Sequence, residues 1–159
     1  MVEVHGNQKI CGDSIMKAFM EEKKQHVLLL AQMQMGKSGT YWYIILNVLF
    51  NNINGIDNII LMSGNRETEL HRQVMVDKRD YIKWFFNQQH LVDTLSTSEL
   101  KEMKKNFLKK IQIVWGGQLY RKNKDTFKVS ENTLIVWDEA HYAQSENNGP
   151  DKFFKHNDL

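Results

Sequence analysis

Residues 28–42 read LLAQMQMGKSGTYWY, and Gly36-Lys37-Ser38 near their centre separates a short apolar run from a long one. HVLLLA (26–31) is brief and aliphatic and stops at polar residues, the pattern of a strand buried in a parallel sheet. GTYWYIILNVLFNN (39–52) is too long for a strand and carries large apolar side chains throughout. It predicts a buried helix closed by the asparagine-rich turn NNINGIDN (51–58). The Gly-Lys-Ser triplet is therefore expected in the loop of a strand-loop-helix unit.

The neighbouring segments extend the pattern. Upstream, SIMKAFMEEKKQ (14–25) has Ile15, Met16, Phe19 and Met20 at helical spacing with charge on the other side, an amphipathic helix. Downstream come a strand, NIILMS (58–63), and a long helical stretch from about Glu67 to Val92. SELKEMKKNFLKK (98–110) predicts a further helix capped by Ser98, with Lys101 where a capping box wants an acid. IQIVW (111–115) and NTLIVW (132–137) predict two more strands. Continuous apolar strands alternating with helices imply an α/β fold, helices on both faces of a mostly parallel sheet, in a single domain spanning 1–159.

Composition fits one globular unit: 159 residues, 42% hydrophobic and 25% charged. A lone cysteine, Cys11, excludes an internal disulfide framework, and with eight methionines it suits a reducing, intracellular setting, cytoplasmic or nuclear. The opening MVEVHGNQKICGD lacks the basic-then-apolar order of a secretory leader. No stretch reaches the roughly 20 apolar residues of a membrane span, so no membrane association is expected. The net charge of +2 does not by itself announce a nucleic-acid binder. The basic clusters KEMKKNFLKK (101–110) and YRKNK (120–124) either face phosphates or form solvated surface.

The triplet has a specific chemical use. In a phosphate-binding P-loop, backbone N–H groups turn inward around the phosphates, the lysine reaches the terminal ones, and the next hydroxyl coordinates magnesium. Gln34, Met35, Gly36, Lys37, Ser38 and Gly39 would form that cradle. Gly36 allows the backbone to approach closely with dihedrals that a side chain obstructs. The usual pattern places a glycine five positions before this one, and here that position is Ala31. The complement is NTLIVWDEAHYAQ (132–144): a strand ending in Asp-Glu sets Asp138 at the carboxyl edge of the sheet, where open α/β folds bind ligands. Asp138 would hold Mg2+ and Glu139 would activate a water. The alternative is an acidic turn after a core strand.

AQMQMGKS and DEAH resemble motifs I and II of the superfamily 2 helicases, and the motif I form beginning with alanine accounts for Ala31. SGNRETELHRQ (63–73) is similar to motif Ia, with Arg66 and Glu67 matching its Arg-Glu. VWGGQL (114–119) is similar to motif Ib, keeping Gly117 and Leu119. The resemblance spans roughly residues 8–142. It implies the first RecA-like lobe of an ATP-dependent helicase or translocase, a three-layer P-loop fold using ATP and Mg2+.

Under that resemblance Lys37 binds the β- and γ-phosphates and acts in catalysis with Glu139, while Ser38 and Asp138 bind the metal. Arg66, Gly116 and Gly117 would touch DNA or RNA, and His141 would couple the ATP state to the strand. Gln8, upstream of the first helix, is either an adenine-reading glutamine or an ordinary surface residue. Arg66 is either a strand contact or a surface arginine, and His141 either couples or simply packs. Motif III and the second lobe with its motif VI arginines find no counterpart. The expectation is a truncated lobe, a hydrolase within a longer protein but nearly inactive alone, completed by a second lobe in cis or in trans. Two other classes stay open, a small non-helicase P-loop NTPase and a non-catalytic interaction module.

Overall fold

The computed structural model describes residues 2–24, 26–27, 29, 36–63, 68–115 and 129–138. These form helices α1 (Gly6–Met20), α2 (Lys37–Phe50), α3 (Thr68–Phe86), α4 (Gln89–Thr94) and α5 (Thr97–Lys110), and strands β1 (Asn58–Ser63), β2 (Ile111–Trp115) and β3 (Thr133–Asp138). A 3-10 turn at Ile53–Gly55 links α2 to β1. The strands make a parallel sheet in the order β2-β1-β3. The chain is thus an α/β protein with a small parallel sheet.

Both faces of β1 are buried, as its unbroken apolar sequence requires: Ile59 and Leu61 face one way, Ile60 and Met62 the other. All five described helices contribute to the core on the Ile59/Leu61 side, where Trp42, Ile45, Leu46 and Phe86 are fully enclosed. On the other face Ile60, Met62 and Val114 pack with Val129, Ile135 and Trp137. Helix α1 lies along α2. Their seam is tight at Gly12, where a Cβ would come within 2.6 Å of the Tyr43 ring, and Tyr43 closes it by donating to Asp13 Oδ1 at 2.9 Å.

Several element boundaries depart from the sequence reading. Helix α1 starts at Gly6 rather than Ser14 and stops at Met20, with Lys23 already at φ 52°. The single helix expected over 67–92 is broken at Asn87-Gln88. There the amides turn back to Trp84 O and Phe85 O, and Gln88 adopts an extended conformation that starts α4. Phe86 and Leu91, five residues apart, would point about 140° apart on one continuous helix. The break lets both enter the same core. The cap of α5 is Ser96, whose hydroxyl accepts from Glu99 N while Ser96 N donates to Glu99 Oε2, a complete capping box one turn before Lys101. Of the strand expected over 26–31, His26, Val27 and Leu29 carry no strand, and Leu28, Leu30 and Ala31 lie outside the described residues.

Candidate functional site

Parallel pairing aligns the strand ends. Ser63, the last residue of β1, pairs with Trp115 at the end of β2 and with Asp138 at the end of β3. The three described strands therefore end together at the carboxyl edge of the sheet. That edge is where open parallel sheets receive ligands. Asp138 lies on it, as the strand reading expected, although β3 runs one residue further than the predicted end.

The Gly-Lys-Ser triplet lies at the amino terminus of α2. Gly36 precedes the helix at φ 77° and ψ 28°, the left-handed region that favours glycine. No side chain caps the helix there, and no acidic residue sits in its first turn. Such a terminus presents N–H groups and a positive dipole end to an anion. Gly39 and Thr40 are buried one turn along, and Ser38 is half-buried.

Tyr41 is buried on α2. It stands three positions after Ser38, on the same side of α2, and its phenol is hydrogen-bonded to the Ser38 side chain. Burial holds the phenol well above the ordinary tyrosine range. The nearby Asp138 carboxylate adds to that rise, while the Ser38 hydrogen bond works against it. Asp138 is thus near enough for its charge to act on a buried phenol of α2. Sequence reading missed Tyr41, and its spacing from Ser38 was the available signal. A serine hydroxyl and a carboxylate are the kinds of oxygen ligand that suit a hard cation such as Mg2+, which in nucleotide sites takes few protein ligands and completes its shell with phosphate and water. Among the described residues no group of three or more His, Cys, Asp or Glu side chains gathers to hold a metal by itself.

Gln8 is not a surface residue. It is 7% exposed, its Nε2 donates to Gly36 O at 2.8 Å, and its Oε1 accepts from His5 N at 2.8 Å. Gln34, Met35, Arg66, Gly116, Gly117, Glu139 and His141 lie outside the described residues. Of the expected site, then, Gln8, Gly36, Lys37, Ser38, Gly39 and Asp138 are described. Gln8 meets Gly36 and Gly39, and the Asp138 charge reaches Tyr41, three positions after Ser38.

No helix among the described residues is long and apolar enough to cross a membrane. No protein-family model, curated protein or solved structure matches the chain.

Proposed function

We propose that this chain is the ATP-binding lobe of an ATP-dependent nucleic-acid helicase or translocase, with a three-layer RecA-like P-loop fold. The observation that carries the reading is the left-handed Gly36 turn that starts α2 at Lys37-Ser38, in a protein whose strand β3 ends at Asp138. A Gly-Lys-Ser turn at an uncapped helix start supplies phosphate donors, and an acid across from it supplies the cation ligand.

In this reading Lys37 holds the β- and γ-phosphates, with the backbone of residues 34–39 around them. Ser38 and Asp138 provide oxygens for Mg2+, whose charge offsets that developing on the phosphates. Glu139 orients the attacking water, and Arg66, Gly116, Gly117 and His141 serve the nucleic-acid side. Tyr41 keeps its proton and orders the Ser38 hydroxyl.

The test is Lys37→Ala. One charge-assisted hydrogen bond is worth about 1.5–3 kcal/mol, so ATP and ADP affinity should fall by roughly ten- to a hundredfold. Circular dichroism and melting temperature should stay unchanged. A folded variant with wild-type nucleotide affinity rejects the site.

A further inference from the structure

We propose that the hollow beside the end of α3 holds one unpaired base of single-stranded nucleic acid, stacked on Trp84, with the adjoining phosphate on the lysines around it. The inference deepens the nucleic-acid part of the proposed function and rests on it.

A recess of about 510 Å³ lies where α3 breaks, lined by Val2, Asp80, Lys83, Trp84, Asn87 and Gln88. That size falls within the roughly 300–1,000 Å³ of small-molecule sites. Asp80, Lys83 and Trp84 are three and four positions apart and so share one side of α3, while Asn87-Gln88 is the break itself. Trp84 is half-buried and presents part of its indole. An aromatic face of this kind stacks any base. The side-chain amides of Asn87 and Gln88 both donate and accept, which suits the edge of a purine or a pyrimidine.

The charge around the recess selects an anion. Lys83 lines it, Lys9 Nζ stands over the Trp84 ring at 5.8 Å from the centroid, and Lys104 donates to Asn87 Oδ1 at 3.3 Å. Against these three ammonium groups, Asp80 is the one acid among the described residues that line the recess. Among the described residues Lys9 and Lys83 make no ion pair. The Lys9 contact is close to the ~6 Å limit of a cation–π interaction, so an arriving base displaces the ammonium at little cost and leaves it to the phosphate. Beyond Lys104 the charge continues along α5, which from Met103 to Lys110 holds four lysines and no acid, with Lys105, Lys109 and Lys110 exposed. A basic track beside an aromatic platform is the arrangement that binds single strands without reading their sequence.

The full chain is titrated by fluorescence anisotropy with labelled oligothymidylate and with an abasic oligomer of the same length and charge, at several salt concentrations. Folding is followed by circular dichroism. Wild type should bind oligothymidylate the tighter by roughly five- to a hundredfold, the worth of one stacked base. Trp84→Leu should abolish that preference. Lys83→Gln, at an exposed position, should weaken both oligomers and make the log–log salt slope shallower by about 0.7. Lys17→Gln, at the α1 lysine paired with Glu21, should change neither the preference nor the slope. Equal wild-type affinity for the two oligomers overturns the proposal, as does a folded Trp84→Leu that keeps the preference, or a Lys83→Gln no different from Lys17→Gln. If Trp84→Leu does not fold, the wild-type comparison and Lys83→Gln still decide. Loss of ATP affinity in folded Trp84→Leu overturns the proposal in favour of a mononucleotide in the recess. A chain that binds ATP but neither oligomer at low salt overturns the nucleic-acid reading itself.

Discussion

Three tyrosines of the helical layer are held protonated by their surroundings. Burial is the first cause for Tyr41 and Tyr81, followed by Asp138 for the former and Asp77 for the latter. Tyr43 is pushed up to about 12 by burial, then by its hydrogen bond to Asp13 and the charge of that carboxylate. A phenol whose folded pKa exceeds its unfolded value of 10.0 leaves the folded chain binding more protons above that pH. Its stabilising contribution is complete below pH 10.0 and is lost as pH rises through about 12. Tyr43→Phe should therefore flatten the alkaline loss of stability over that interval, because Tyr41 and Tyr81 remain in both proteins. Denaturant unfolding of the two proteins at a series of alkaline pH values checks this, and identical slopes would remove the Asp13 bond as the cause. Lys78 is the other residue whose environment is unusual: it is buried, and its ammonium donates to Leu108 O at 2.7 Å and Ile111 O at 2.6 Å. Burial, then Arg79, holds its pKa below the lysine range. Lys78→Met would leave two carbonyls at the end of α5 without that donor, at a cost of about 1–3 kcal/mol in thermal or denaturant unfolding.

The cap of α5 shows how an element chooses its own start. Ser98 heads the apolar-periodic segment, yet Ser96 is the residue with an acid three positions later, and Glu99 returns the bond. The hydrogen bonds from the Ser96 side chain and backbone hold the Glu99 carboxyl below its usual range. Ser96→Ala should cost about 1 kcal/mol in unfolding free energy. Ser98→Ala, which removes only a hydroxyl 3.1 Å from Ser96 Oγ, should cost a few tenths. Equal losses from the two would mean that the helix starts elsewhere. The α3–α4 break is a packing decision of the same scale. Phe85 and Phe86 meet Phe107 of α5 at ring distances of 6.4 and 5.0 Å, and Lys104 donates to Asn87 Oδ1 across the gap at 3.3 Å.

At the scale of the molecule, the parallel register brings the ends of three strands, Ser63, Trp115 and Asp138, to one edge of the sheet. Under the proposed function, Arg66, Gly116 and Gly117 serve the nucleic-acid side. Single-stranded DNA or RNA should bind weakly, and its affinity should fall with salt at a log–log slope of about −0.7 for each phosphate neutralised. Fluorescence anisotropy at several salt concentrations measures that slope. Binding indifferent to salt, or no binding at low salt, together with intact ATP affinity, would favour a P-loop NTPase that acts without nucleic acid.

The sequence by itself determined the α/β alternation, the three described strands to within a residue of their ends, the buried helix that follows Gly36, although it starts at Lys37 rather than Gly39, and the place of Asp138 at a strand terminus. These are encoded locally, because an unbroken apolar run or a helical repeat states which side chains need burial whatever packs on them. Only the tertiary structure decided that Gln8 is buried against Gly36 and Gly39, that Tyr41 is buried within reach of the Asp138 charge, and that the 67–92 segment breaks at Asn87-Gln88. The early start of α1 belongs with these, since Gln8 helps to begin that helix and reaches Gly36 from it. A polar side chain such as Gln8 has no periodicity to reveal its partner. Its position is set by a hydrogen bond across 28 residues of sequence, formed only once α1 has packed on α2.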